Sequence, residues 1–244
     1  MKTCFAILIC LAIPVLTTRS AVAQVQQDQQ SKQDKKQSKQ DEQLPLGFDT
    51  SKIPPPDPVK GEPVARVLDN YVYQADLWPR GWKIDAEEET PIVIVQSLVL
   101  SKLRARYAET HEIKATKEEV RDFNNFWTRQ LDLVGLTIDH IAFTAEERQQ
   151  RAERAVIGWK VNRELYKKYG GPVIFQQANP MEPVGAYRKF LEEMQEAKLF
   201  EVFDEQDRAR FWEYFTRNHT GWEVAPEDIN FDVPWWMQAD DDGL

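Results

Sequence analysis

The chain has 244 residues and a formal net charge of -9 at neutral pH. This acidic balance argues against a general nucleic-acid or anionic-membrane binder, because both need clustered positive charge. The length allows one folded domain or two small ones.

Residues 1–23 have the pattern of a secretory signal peptide. Lys2 supplies positive charge, residues 4–16 are almost wholly apolar, and a small-x-small triplet ends at Ala23. The apolar run is shorter than the roughly 20 residues that cross a bilayer, which disfavours a retained membrane anchor. We therefore expect cleavage after Ala23, a periplasmic or secreted protein, and no transmembrane segment after that cleavage.

Both cysteines, Cys4 and Cys10, lie in this segment. The processed chain is therefore expected to have no disulfide, no thiolate metal site and no cysteine nucleophile. Secreted eukaryotic proteins of this size usually carry disulfides, so the pattern favours a bacterial periplasm.

Residues 24–63 are predicted to form a disordered tether. Residues 24–43 are rich in Gln, Lys, Asp and Ser, and they cannot bury enough apolar surface to offset chain entropy. Residues 44–63 are rich in proline, which favours an extended and semi-rigid chain. A spacer without a specific partner is the interpretation we favour.

The folded part is predicted to begin near Val64 and to be mainly α, a multi-helix domain with a small N-terminal β-hairpin. Two β-type runs, 64–67 and 71–73, predict the hairpin, and Asp69-Asn70 is expected to supply its left-handed turn.

Apolar residues spaced three and four apart then predict a series of helices. Capping signals mark their starts at Thr90, Thr116 and Thr144, and two more helices are predicted at 183–197 and 204–218. We divide the folded part into a helical region, 64–170, and a helical, aromatic-rich region, 171–244, packed on the same domain.

The order of these features resembles a known family. The two β runs, the amphipathic helix after them and the step at 113–120 into a capped helix resemble the N-terminal chaperone region of SurA- and PrsA-type extracytoplasmic foldases. The resemblance covers about residues 64–169. Asp69-Asn70 replaces the usual Asn-Gly turn, and no parvulin-type isomerase domain is found. The resemblance implies a polypeptide-binding, chaperone-like region and withholds isomerase activity.

No catalytic, metal or cofactor site is predicted. His111, His140 and His219 are far apart and lack metal-ligand spacing. The acidic pairs at 118–119 and 146–147 lie in first helical turns, where negative charge complements the helix dipole. The sequence therefore leans against an enzyme.

A peptide-binding cleft between helices is predicted to be lined by Val99, Leu103, Trp127 and Trp159. The same spacing fits an ordinary core, so both interpretations stay open. The tryptophan pairs in the loop at 78–82 and at 235–236 are equally consistent with a binding surface or with loops that fold back on the helices.

The leading hypothesis is a periplasmic chaperone-like protein that binds unfolded or extended polypeptide segments without catalysis. The alternative is a non-catalytic adaptor or structural component of an envelope assembly. A peptidyl-prolyl isomerase is the weaker alternative. Expected partners are unfolded or envelope polypeptides, with no nucleic acid.

Overall fold

The structure is a computed structural model that describes residues 45–78, 90–137, 143–177 and 179–238. The predicted signal peptide, the Gln-rich stretch at 24–43, Trp82 and His140 lie outside these ranges.

Helices dominate the described residues, which confirms the mainly α fold class. They are α1 (Ile92–Thr110), α2 (Lys117–Leu133), α3 (Ala145–Tyr169), α4 (Val184–Glu196), α5 (Glu205–Thr216) and the short α6 (Trp235–Gln238). The strands are β1 (Pro63–Val67), β2 (Asn70–Tyr73), β3 (Ile174–Gln176), β4 (Asn179–Glu182) and β5 (Phe200–Val202). None of the described helices has the length and apolar character needed to span a membrane.

Two helix starts follow the predicted capping chemistry. The Thr116 hydroxyl accepts a hydrogen bond from the Glu119 amide at 3.2 Å, and Glu119 Oε2 accepts from the Thr116 amide at 2.7 Å. Thr144 and Glu147 form the same reciprocal pair at the start of α3. The predicted cap at Thr90 is wrong, because α1 begins after Pro91, which makes no side-chain capping bond.

The larger sheet has three antiparallel strands, in the order β2-β1-β5. Its left-handed turn residue is Leu68, at φ 55°, whereas Asn70 already belongs to β2. The turn therefore consists of Leu68 and Asp69, one residue earlier than the predicted Asp69-Asn70. The Leu68 amide donates to Leu199 O at 2.7 Å, so a contact distant in sequence fixes a geometry that leucine rarely adopts.

Arg66 fastens the middle strand of this sheet to the turn before β5. Its side chain is almost fully buried, and it donates to Leu68 O at 2.9 Å and to Lys198 O at 3.0 Å. One guanidinium thus provides hydrogen-bond donors to two carbonyl groups that lie outside the β-strand pairing.

Two hydrophobic clusters form the core. The first packs the three-stranded sheet against α1, α4, α5 and the C-terminal half of α3. The second joins α2 and the first part of α3 to the chain around β3, β4 and α6, through Phe123, Trp159, Met181, Phe231 and Trp236.

The chain just after residue 44 differs from the predicted tether. Leu46 is buried in the first cluster, and its carbonyl accepts hydrogen bonds from Arg106 Nε at 3.0 Å and from the Thr110 hydroxyl at 3.2 Å. The beginning of the proline-rich segment is therefore attached to the C-terminal part of α1.

Candidate functional site

A cleft of about 750 Å³ opens between α2 and the first half of α3. Its aromatic wall consists of Phe123, Trp127 and Phe143. Phe123 and Trp127 are four residues apart on α2, so they lie on one helix face. Trp127 is 46% exposed, although its position in the helical pattern suggested a core residue. We call this space the outer cleft.

The part of the outer cleft that α3 forms is a basic wall. Arg148, Arg151 and Arg154 recur every third residue of α3 and line the same space. Arg148 donates to Phe143 O at 2.6 Å, and the Arg151 guanidinium lies 3.7 Å from the centre of the Phe143 ring. Among the described lining residues there is no Asp or Glu. This acidic protein therefore has a locally positive, apolar cleft.

A second space of about 330 Å³, which we call the inner pocket, shares Phe123, Trp127 and Arg154 with the outer cleft. Arg104, Trp159, Asn162, Asn179, Trp235 and Trp236 complete most of its lining.

The tryptophans of the inner pocket pack edge to face. The Trp236 ring centre lies 5.1 Å from Phe123 and 5.9 Å from Trp159, both at steep interplanar angles. Trp159 and Trp236 are only 4% and 2% exposed. Such pairs add packing energy beyond area burial, and they hold the short α6 against α2 and α3.

Two buried polar pairs interact with Arg104, which lines the inner pocket. The Tyr187 hydroxyl donates to Asn162 Oδ1 at 2.6 Å, and the Arg104 guanidinium lies over the Tyr187 ring at 5.3 Å. Burial raises the pKa of Tyr187 to about 12, so its hydroxyl keeps its proton at neutral pH. The buried carboxyl group of Glu182 accepts from the Tyr214 hydroxyl at 3.0 Å. Burial raises the pKa of Glu182, and the Tyr214 hydrogen bond and the charges of Arg104 and His219 oppose that rise.

Only two of the four residues predicted to line a peptide-binding cleft lie in the same cavity. Trp127 and Trp159 both line the inner pocket. Val99 and Leu103 are completely buried in the first cluster and line neither the outer cleft nor the inner pocket. Their periodicity reflects the core of the fold.

Sequence reasoning missed the basic wall. The spacing of Arg148, Arg151 and Arg154 was a usable signal, since arginines three residues apart share a helix face. Arg104 gave no local signal, because it meets the pocket only through tertiary packing. Of the two pairs of tryptophans left open, Trp236 folds back into the core, Trp235 and Trp78 are half-buried, and Trp82 is outside the described residues.

The described residues contain no group of three or more side chains arranged to hold a metal ion. His111 stacks on Tyr107 at 3.9 Å between ring centres, and His219 Nε2 lies 2.9 Å from Tyr214 O. Each of these two imidazoles therefore contacts a residue four or five positions earlier in the chain. Glu119 and Glu147 complete helix caps.

Comparison with known proteins gives no relative: no family model, no curated protein and no solved structure matches the chain.

Proposed function

We propose that this chain is a chaperone-like protein of the bacterial periplasm that binds unfolded or extended polypeptide segments without catalysis. The observation that carries the proposal is the outer cleft, where the half-exposed Trp127 and three arginines line one space. Tryptophan and arginine are among the residue types enriched at the energetic centres of protein interfaces.

The chemistry of the outer cleft suits a polypeptide with apolar and acidic residues. An apolar side chain of the client would cover the Trp127 ring and remove its exposed surface from water. Client carboxylates would pair with Arg148 and Arg154, whose planar guanidinium groups bind carboxylates well. Neither contact requires one fixed client sequence, so the cleft can accept many segments.

Two sequence features support the envelope setting. The predicted signal peptide directs the chain out of the cytoplasm, and the predicted tether would extend the reach of the folded part. The resemblance to SurA- and PrsA-type chaperone regions points the same way, since a hairpin followed by helices is the arrangement that it implies. The pairing of β1 with β5, from after residue 171, is an addition to that arrangement.

Suppression of aggregation tests this function. Two unrelated, chemically unfolded proteins are diluted with the chain from Gln24 onward, and light scattering is followed. We expect near-stoichiometric suppression of both. Trp127→Ala should weaken it by about 1–2 kcal/mol of binding free energy, or roughly tenfold in the amount needed.

Trp222→Ala is the matched control, because Trp222 is 61% exposed and lines neither the outer cleft nor the inner pocket. It should suppress aggregation like the unchanged protein. Absence of any suppression, or equal loss in both variants, would reject polypeptide binding at the outer cleft.

One observation favours the adaptor alternative. The last residue of α2 and the turn after it expose Leu133 at 71%, Val134 at 69% and Leu136 at 42%. Neighbouring exposed apolar side chains of this kind are typical of a docking site for a fixed partner. In-cell crosslinking from position 134 separates the two functions: one dominant product indicates an adaptor, whereas many products indicate a chaperone.

A further inference from the structure

An acidic segment of the chain follows the helix that packs beside the outer cleft. Residues 239–244, Ala-Asp-Asp-Asp-Gly-Leu, come directly after α6 and lie outside the described ranges. We call them the acidic tail. Within α6, the Trp235 ring centre lies 5.2 Å from that of Phe126 and 6.4 Å from that of Phe123, which lines the outer cleft. The acidic tail is therefore connected to the fold beside the aromatic wall of that cleft.

The acidic tail is long enough to reach the basic wall of the outer cleft. The contact of α6 with α3 is at Trp159, whose ring centre lies 5.9 Å from that of Trp236. Along α3, Arg154 precedes Trp159 by about 8 Å and Arg148 precedes it by about 16 Å, from the helical rise of about 1.5 Å per residue. Six residues in an extended conformation span up to about 20 Å. Trp127 and Arg154 line both the outer cleft and the inner pocket beside α6, so the two spaces adjoin.

The charge of the basic wall is complementary to that of the acidic tail. In the described part of the chain, no Asp or Glu forms a salt bridge with Arg148, Arg151 or Arg154. Glu147 interacts with the charge of Arg151, but its Oε2 accepts hydrogen bonds from the Thr144 amide at 2.8 Å and the Thr144 hydroxyl at 3.0 Å. Guanidinium groups bind carboxylates through paired N–H donors, so a run of three Asp side chains suits a row of three arginines.

We propose that the acidic tail binds in the outer cleft of its own chain and competes there with client polypeptides. Occupation of the cleft depends on charge and reach alone, whereas competition with clients rests on the proposed function. Exposed ion pairs are individually weak, so a client that also covers Trp127 displaces the tail. The tail thereby restricts the cleft to clients that bind strongly.

A peptide-binding measurement tests whether the tail occupies the cleft. The probe is the peptide Ala-Asp-Asp-Asp-Gly-Leu with an N-terminal fluorophore, and its anisotropy is followed with the chain from Gln24 onward. The neutral-tail variant combines Asp240→Asn, Asp241→Asn and Asp242→Asn. The probe should bind this variant about tenfold more tightly than the unchanged chain, because competition within the molecule is removed.

The matched control variant combines Glu62→Gln, Glu196→Gln and Glu227→Gln. It changes the net charge by the same amount, at exposed positions that line neither the outer cleft nor the inner pocket. It should bind the probe like the unchanged chain. An equal gain in affinity in both variants would indicate general charge repulsion and would overturn tail binding.

Replacement of the basic wall locates the probe. Arg148→Gln, Arg151→Gln and Arg154→Gln, added to the neutral-tail variant, should remove the roughly tenfold gain in affinity. Retention of the gain would overturn binding in the outer cleft. Thermal unfolding identifies an arginine variant that fails to fold, and a second measurement then decides.

That second measurement is a disulfide trap. The chain from Gln24 onward has no cysteine, and Gln149 is exposed on α3 and lines the outer cleft. With oxidised glutathione as oxidant, the pair Gly243→Cys and Gln149→Cys should form an intramolecular disulfide at least about fivefold faster than the same pair in the neutral-tail variant. A disulfide between two chains would assign the tail to the cleft of a second copy and would overturn the proposal.

Equal affinity of the probe for the unchanged and neutral-tail chains, no binding to either, or equal disulfide rates would also overturn the tail contact. If the proposed function holds as well, the neutral-tail variant should suppress aggregation at several-fold lower amounts. The two proposals fail separately. Suppression by the unchanged chain with equal probe affinities would leave the proposed function and reject the tail contact. Selective probe binding and disulfide formation without suppression would leave the tail contact and reject the proposed function.

Discussion

Glu182 is the buried carboxyl group whose titration should be visible in the stability of the whole protein. Burial raises its pKa, against the opposing effects of the Tyr214 hydroxyl, Arg104 and His219. The folded state therefore holds this proton more tightly than the unfolded chain does. Its contribution to stability is present below the ordinary glutamate pKa and is lost as pH rises through the raised value.

The substitution Glu182→Gln removes this proton linkage while keeping an oxygen to accept from Tyr214. Below the ordinary glutamate pKa, the variant and the unchanged protein should have similar free energies of unfolding. Above the raised pKa, the variant should be the more stable. Urea titrations across this pH range measure the difference, and Glu62→Gln, at an exposed position, controls for loss of one charge. A constant difference at every pH would contradict the expectation.

Two helical glycines should differ in their tolerance of alanine. A Cβ at Gly158 would lie 2.9 Å from Arg104 Nη2, the end of a side chain that can move. At Gly185 it would lie 2.5 Å from Pro172 Cδ and 2.6 Å from Pro172 N, where a proline ring and backbone block it. Alanine is the better helix former, but its Cβ would displace the Arg104 guanidinium from Gly158 O, so these two effects oppose each other and Gly158→Ala should change the free energy of unfolding by less than about 1 kcal/mol. Gly185→Ala should destabilise it by about 1–3 kcal/mol.

Chemical denaturation of the two glycine variants measures these changes. Destabilisation by Gly158→Ala equal to that of Gly185→Ala would show that Arg104 cannot move, and the explanation by side-chain flexibility would be wrong.

At the scale of single elements, the sequence predicts those features that depend only on residues close together in the chain. The caps at Thr116 and Thr144 depend on side chains three residues apart, so the sequence reveals them. The β3–β4 hairpin and its neighbours depend on distant partners. The Phe175 amide donates to Trp222 O at 2.7 Å, and the Val224 amide donates to Val173 O at 2.9 Å. Short strands held by such contacts carry little pattern of their own.

The cap of α3 gives an element-scale prediction. Thr144→Ala removes the hydroxyl that accepts from the Glu147 amide at 3.2 Å. The loss should cost about 1 kcal/mol, or roughly 2–4 °C in the unfolding midpoint. Thr128→Ala is the control, since that hydroxyl donates to Asn124 O within α2 and caps no helix. Calorimetric midpoints that fall equally in both variants would contradict the capping role.

The candidate site is a property of the whole molecule, which explains why the sequence indicated only half of its predicted liners. Periodicity places Val99, Leu103, Trp127 and Trp159 on inward helix faces alike. Packing then separates them, because α1 is covered by the sheet and by α4 and α5, whereas α2 meets α3 and the short α6. Among the described residues, none covers the side of α2 beside Trp127, and no residue of α2 itself encodes that open space.

The same reasoning decides whether the chain can be divided near residue 170. The first cluster takes Phe190, Leu191, Phe200 and Phe211 from beyond that point, and β5 covers one edge of β1. A fragment of residues 45–170 would therefore expose the apolar face of α1 and an unpaired edge of β1. We expect it to lack a cooperative unfolding transition in circular dichroism, whereas residues 45–244 should unfold as the unchanged chain does. A cooperative transition in the shorter fragment would mean that the helical region folds alone, and that the outer cleft, built from α2 and α3, could form without the later helices.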